Sequence, residues 1–371
     1  MRAAVLFAPR EALKVVDVEL AEPGPGEVRV RLAASGVCAS DWHTMTGAIP
    51  SPTPSVLGHE GAGVVEEVGA GVRDVKPGDH VVLSWVPSCG RCRYCESGRP
   101  NLCSVAAPFL LAGTLVSGAR RLSYQGQPLY HYSFLSTFAE AVVVDEACCI
   151  PVRPDVPLSV AALVGCAVMT GFGAVVNRAR AEPGSTVIVY GAGGVGLSAV
   201  MAARLSGAQH VIAVDPVASK RALALEVGAT HVADPGADDP GEVVSSLTAG
   251  DGADVAIESA GRTELVAAAF AATRRGGTIV CVGIPAADAT IVLPGPAMVR
   301  HEKIVTGSLY GSCRPRVDMP KILDLYASGR LPLDRLVSRT YGLDDINVAF
   351  DDMVAGKLAR GVVEFSALGA P

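Results

Sequence analysis

The sequence predicts a two-domain α/β protein in which a doubly wound parallel sheet accompanies a β-rich unit. Three observations carry the prediction. From about residue 168 onward, short wholly apolar runs alternate with runs of helical period, as parallel strands covered on both faces by helices should. A G-x-G-x-x-G turn at 191–196 stands between one such strand and the next helix. The first 160 residues read instead as short strands broken by Gly and Pro turns.

Length and composition agree with this. The chain has 371 residues, which suits two domains of about 100–200 residues each. Half of the residues are hydrophobic and only 18% are charged, so the chain can bury a large core and general disorder is excluded. The formal net charge is −6 and no long basic block occurs, which excludes nucleic acid as the main partner. Pro9 and Arg10 interrupt the N-terminal apolar run before a secretory signal can form, and a cytoplasmic, reducing compartment is expected. Two stretches, 156–177 and 183–203, carry no charge and approach the length of a membrane span. Both are dense in Gly, the second contains the glycine turn, and buried core is the reading adopted; no membrane partner is expected.

In chain order, residues 28–32 alternate with period two, and 64–68 and 80–83 follow as further strands, the latter after the turn Pro77, Gly78, Asp79. Beyond residue 168 the series runs strand 186–190, helix 197–205, strand 211–215, helix 220–227, strand 255–257, helix 264–274 and strand 278–282. A helix at 319–328 and a terminal strand at 362–365 complete it.

The glycine turn consists of Gly191, Ala192, Gly193, Gly194, Val195 and Gly196. Its glycines permit a tight turn and close backbone approach to a pyrophosphate at the helix N-terminus. Asp215, at the end of the second strand, is placed to accept hydrogen bonds from the adenosine ribose and to repel a 2′-phosphate, so NAD is expected over NADP. Cys89, Cys92, Cys95 and Cys103 form a second motif. Four thiolates from one loop close a tetrahedral zinc shell with no open position, the signature of a structural site. A dispersed set remains: Cys38, His59 with Glu60, and Cys166. Singly, a buried Cys is a small hydrophobe and a His can be a satisfied core side chain; spacing alone does not bring these residues together.

Taken together, the Gly58-His59-Glu60 motif, the four-cysteine lobe, the glycine turn with Asp215, and residues 357–360 resemble a zinc-dependent medium-chain alcohol dehydrogenase over essentially the whole chain. The resemblance implies a GroES-like catalytic domain over 1–167 and 310–371 and a Rossmann dinucleotide-binding domain over 168–309, with the site in the cleft between them. It implies a catalytic zinc on Cys38, His59 and Cys166 with one open position, Glu60 behind the metal, and Asp41 orienting His59. Two zinc ions per chain follow, one catalytic and one structural. Ser40 and His43 match a proton relay. Lys220, Arg360 and Thr170 match contacts to the ribose, pyrophosphate and nicotinamide of NAD. Ile49, Trp85, Tyr132, Ile284 and Leu309 match a substrate pocket, an apolar and aromatic set suited to a primary aliphatic or aromatic alcohol and its aldehyde. Ala39 departs from relatives that place Arg or His there against the pyrophosphate, which implies faster NADH release. A homodimer is implied as well. Two alternatives accompany this reading: a formaldehyde dehydrogenase acting on a mycothiol or glutathione adduct, and an inactive zinc- and nucleotide-binding relative. Ala107 and Ile49 occupy the positions where the glutathione-dependent branch carries charge, which disfavours glutathione. The intact metal and relay residues speak against an inactive relative.

Overall fold

The structure, a computed structural model, describes residues 1–365; residues 366–371 of the expected 310–371 segment lie outside the described residues. The chain divides into two compact units. One comprises 1–166, 314–328 and the chain from 337 onward; the other comprises 167–313 and 329–336.

The second unit is built on a six-stranded parallel sheet. Its strands lie in the order His231–Ala233, His210–Val214, Thr186–Tyr190, Ala253–Glu258, Thr273–Cys281, Ile304–Gly307. Numbered along the chain this is the doubly wound order 3-2-1-4-5-6, whose switch point falls between Thr186–Tyr190 and Ala253–Glu258. Every residue of Thr186–Tyr190 is buried, as β-branched residues in a strand covered on both faces should be. One face packs Ile188, Tyr190, Ile212 and Ile279 against Val244, Val266 and Phe270 of the helices Pro240–Leu247 and Thr263–Ala272. The helix Gly194–Leu205 buries almost all of its length, which accounts for the absence of charge in the second apolar stretch.

The first unit is mostly antiparallel. Its largest sheet runs Cys149–Pro151, His80–Leu83, Gly61–Val68, Glu27–Val37, Arg360–Glu364, Val337–Tyr341, with Ala141–Asp145 also paired to Glu27–Val37. The long strand Glu27–Val37 is the organiser: it pairs with Gly61–Val68, Ala141–Asp145 and Arg360–Glu364 and so joins residues distant in sequence. This unit is less purely β than the sequence suggested. It contains the helices Ala39–Met45 and Leu158–Val164, the latter with Val160 to Val164 buried. Both are two turns long, too short to display a helical period. Leu158–Val164 also explains the first uncharged stretch as core. Among the described residues no single helix is long and apolar enough to cross a membrane.

Candidate active site

Cys38 follows the strand Glu27–Val37 and occupies the N-cap position of the helix Ala39–Met45, so the turn from strand to helix fixes its side chain. His59 and Glu60 directly precede the strand Gly61–Val68, which pairs with Glu27–Val37. Cys166 follows the helix Leu158–Val164 and its cap Gly165. These three routes converge. The ligand atoms of Cys38, His59, Glu60 and Cys166 all lie within 4.8 Å of one another, and all four residues are buried. Gly36 makes the convergence possible: a Cβ there would lie 2.1 Å from Glu60 Oε2.

Asp41, one turn into the helix and fully buried, accepts from His59 Nδ1 at 3.0 Å and from the Gly58 backbone N–H at 3.0 Å. Because a carboxylate only accepts, Nδ1 carries the proton and Nε2 is left to face the cluster. Burial pushes Asp41 up, opposed by His59 and the Gly58 N–H. For His59, burial lowers the pKa, but the charges of Asp41 and Cys38 outweigh it and the imidazole is raised well above its ordinary value. A hydrogen bond from Cys166, helped by Arg360 and His59, draws the Cys38 thiol well below the usual range.

Arg360 closes the far side. It is 7% exposed, and Nη2 donates to Glu60 Oε1 at 2.7 Å while Nη1 donates to the Val37 carbonyl at 3.1 Å. The sequence assigned Arg360 to a pyrophosphate; in this structure its guanidinium rests on Glu60 and lies 3.7 Å from Cys38 Sγ. Burial pushes Glu60 up to about 8 against the pull of Arg360. Glu60 Oε2 and Asp41 Oδ2 are buried with no hydrogen-bond partner among the described residues. Two thiols, an imidazole nitrogen and an orphaned carboxylate oxygen around one point form the donor set of a zinc site, with three N/S ligands and room for an exchangeable fourth.

Ser40 Oγ lies 3.9 Å from Cys38 Sγ. His43 is half exposed one turn further along the same helix. Tyr132 packs edge-on against His59, with ring centroids 5.7 Å apart. Its hydroxyl donates to the Ser40 carbonyl at 3.2 Å, as does that of Thr44 at 3.1 Å. Thr44 escaped the sequence reading. Its i, i+4 relation to Ser40 would have signalled it only if 39–45 had been read as a helix. Of the other expected pocket residues, Ile49 and Trp85 are half-buried in this unit, while Ile284 and Leu309 are exposed residues of the second.

The four-cysteine loop also closes on itself. Cys92 Sγ lies 3.5 Å from Cys95 Sγ and 4.0 Å from Cys103 Sγ, and Cys89 Sγ lies 4.0 Å from Cys95 Sγ. A tetrahedral shell with Zn–S of about 2.3 Å sets sulfurs about 3.8 Å apart, so the loop fits zinc without rearrangement. Backbone N–H groups, that of Cys95 foremost, pull Cys92 down to about 5.

In the second unit Gly191 adopts φ +93°, the left-handed region that favours glycine. A Cβ at Gly196 would lie 1.8 Å from the Gly191 carbonyl, whereas one at Gly193 would meet nothing within 4 Å. The turn is thus tight beneath and open above. The helix Gly194–Leu205 begins without a side-chain cap, leaving its first N–H groups to a ligand. This cradle fits a dinucleotide pyrophosphate. Asp215 is buried beside it, its Oδ2 accepting the Ala192 N–H at 2.8 Å. Lys220 is half exposed on the helix Ala218–Glu226, and Thr170 half-buried on Ala167–Gly173.

Residues 24–154 match the alcohol dehydrogenase GroES-like domain, and residues 194–328 the zinc-binding dehydrogenase domain. The chain belongs to the zinc-dependent medium-chain dehydrogenase family. Among the relatives of this family member is an NDMA-dependent alcohol dehydrogenase of Amycolatopsis methanolica, 42% identical over 369 residues and 99% of both chains. An alcohol dehydrogenase zinc-binding domain protein from Burkholderia ambifaria superposes with TM-score 0.95 at 35% identity over 99% of each chain. The benzyl alcohol dehydrogenase of Acinetobacter calcoaceticus does so with TM-score 0.93 at 33% identity, covering 98% of this chain and 99% of that one. These likenesses support a zinc alcohol dehydrogenase with a GroES-like and a Rossmann-type domain.

Proposed function

We propose that this chain interconverts primary aliphatic or aromatic alcohols and their aldehydes with NAD(H), using one zinc on Cys38, His59 and Cys166 and a second on Cys89, Cys92, Cys95 and Cys103. The observation that carries the reading is the convergence of two thiols, an imidazole and a carboxylate within 4.8 Å, beside the Ser40 hydroxyl. When bound, zinc supplies a Lewis acid that polarises the substrate oxygen, and NAD supplies the hydride acceptor. The chain's residues do the rest. Asp41 fixes the His59 tautomer, and Arg360, positioned by Glu60 and the Val37 carbonyl, places a positive charge behind the two thiols. Ser40 takes the proton of the substrate hydroxyl, and His43 passes it toward solvent. Tyr132, held by its bond to the Ser40 carbonyl, walls the site with an aromatic ring and helps to exclude water. The benzyl alcohol dehydrogenase relative supports an aromatic substrate. On the nucleotide side, Gly191, Gly193, Gly194, Val195 and Gly196 take the pyrophosphate, Asp215 the ribose, and Lys220 supplies positive charge.

A homodimer is part of the proposal. The parallel sheet ends at the strand Ile304–Gly307, and Val292 and Val299 in the segment leading to it and Ile304 in it are 79%, 77% and 54% exposed. A second reading concerns the acceptor. The Amycolatopsis relative is NDMA-dependent, and on this reading NDMA rather than added NAD serves this chain as acceptor.

The test is turnover of benzyl alcohol and hexanol with NAD, NADP or NDMA as acceptor, and of formaldehyde with and without thiols, alongside metal analysis. About two zinc per chain and NADH formation from the alcohols are expected. Undiminished oxidation by chelator-stripped protein would overturn the proposal; turnover with NDMA alone would select the second reading.

A further inference from the structure

Asp215 already uses both carboxylate oxygens: Oδ2 accepts the Ala192 N–H and Oδ1 the Val217 N–H, each at 2.8 Å. A guanidinium stands directly beside it. Arg221, on the helix Ala218–Glu226, donates from Nη1 to the Asp215 carbonyl oxygen at 2.6 Å and pairs through Nη2 with Asp234 Oδ2 at 2.9 Å. Asp234 follows the strand His231–Ala233, which lies next to His210–Val214 in the sheet with Ala233 opposite Val214. Asp234 is itself held in place: its Oδ1 accepts the Gly236 N–H at 2.9 Å, and its own N–H donates to Asp238 Oδ2 at 2.8 Å. The side chains of Arg221 and Asp234 are 17% and 32% exposed, so water screens the pair incompletely.

An arginine next to the acid that reads the ribose is the group by which dinucleotide folds accept a 2′-phosphate. This chain has such an arginine and spends it on a carboxylate from the neighbouring strand end. We propose that the Arg221–Asp234 pair determines cofactor specificity: Asp234 withholds Arg221 from a nucleotide 2′-phosphate, so that NADP is refused by the pair as well as by Asp215. The inference rests on the reading that the glycine turn and Asp215 bind NAD. It adds a second discriminating element that the glycine motif and Asp215 do not reveal, one strand further along the sheet.

The experiment is an equilibrium titration of the zinc-loaded chain with NADH and NADPH, followed by nucleotide fluorescence. Asp234→Asn retains an acceptor for the Gly236 N–H but removes the charge that holds Arg221. NADPH is expected to bind about tenfold tighter to this variant, the scale of one charge-assisted hydrogen bond to phosphate, with NADH affinity unchanged within about twofold. The double variant Arg221→Gln/Asp234→Asn should lose the gain. Asp234→Ser, which also keeps an acceptor, serves where the Asn variant unfolds. NADPH affinity that does not rise in a folded variant, or a gain that persists in the double variant, overturns the inference while leaving the NAD reading intact. A wild-type chain that binds NADPH as tightly as NADH, or neither, overturns the NAD reading and the inference with it.

Discussion

The two cysteine clusters of the first unit offer zinc similar donors, yet they are assembled by opposite means. Cys89, Cys92, Cys95 and Cys103 come from one short loop, are mostly half exposed, and have their sulfurs 3.5–4.0 Å apart in the pairs given above. Cys38, His59, Glu60 and Cys166 come from three separated segments, are all buried, and are supported by Asp41 and Arg360, themselves buried. In the loop, a bound zinc would tie together a half-exposed segment that meets the core only at its margin. In the buried cluster, strands and helices hold the donors, so a bound zinc would be free to keep an open position. The difference predicts that one site governs stability and the other turnover.

The largest effect should come from breaking the buried cluster. Cys166→Ser is expected to lower kcat/KM by about a thousandfold or more, since several kcal/mol of Lewis-acid stabilisation is lost. Zinc content should fall from two to one per chain while Tm moves little, because the surrounding sheet remains paired. A large Tm loss with turnover retained would reverse the assignment of the two sites. Cys92→Ser should do the opposite. It removes the loop zinc, lowers Tm by about 5–10 °C and opens residues 89–103 to protease, with the turnover of the surviving folded enzyme largely kept. Limited proteolysis with and without chelator checks this directly.

An intermediate effect sharpens the comparison by probing the support of the buried site. Asp41→Asn leaves all three zinc donors in place but removes the acceptor-only partner of His59 Nδ1. A loss of about 10–100-fold in zinc affinity and activity is expected, measured by competition with a chromophoric chelator. Among the described residues no carboxylate supports the four-cysteine loop in this way, so its affinity should be unchanged in the same variant; a shift at both sites would show that Asp41 acts through general stability.

The same contrast explains what could be read from the sequence. The four-cysteine loop and the glycine turn were legible because their residues are neighbours in the chain, and local backbone geometry gives such patterns their meaning. A parallel sheet covered by helices follows from alternating apolar runs, a one-dimensional signal, but the strands His231–Ala233 and Ile304–Gly307 and the order of all six are set by pairing and were not read. That Cys38, His59 and Cys166 meet is a property of strand pairing between distant segments, and only the likeness to a known family supplied it. The setting of Arg360 was not legible at all: its strand Arg360–Glu364 pairs with Glu27–Val37, which carries the guanidinium to Glu60. Thr44 and the Arg221–Asp234 pair were missed as well, the first because a seven-residue helix has no visible period, the second because Arg221 on a helix meets Asp234 only through the pairing of two adjacent strands.

The smallest effect concerns the anchoring of the segment that follows the four-cysteine loop, where a half-buried carboxylate accepts a backbone N–H. Asp145 Oδ2 accepts the Val116 N–H at 2.9 Å, tying that segment to the sheet. Burial, with the charge of Glu27 adding to it, raises Asp145 to about 6, and the Val116 N–H only partly offsets this. With the folded value above the unfolded value of about 3.9, the folded chain binds more protons between these two pH values. The contribution of Asp145 to stability therefore falls as pH rises from about 4 to about 6 and is constant above. Asp145→Asn keeps an acceptor for Val116 and removes the half-buried charge. Its Tm should match wild type near pH 4 and exceed it at pH 7, by an amount equivalent to about 2 kcal/mol. Thermal melts across this range test the sign: a variant less stable than wild type at pH 7 would mean that the ionised carboxylate strengthens the tie to Val116 by more than its burial costs, and that this lobe, like the buried cluster, relies on a charged support.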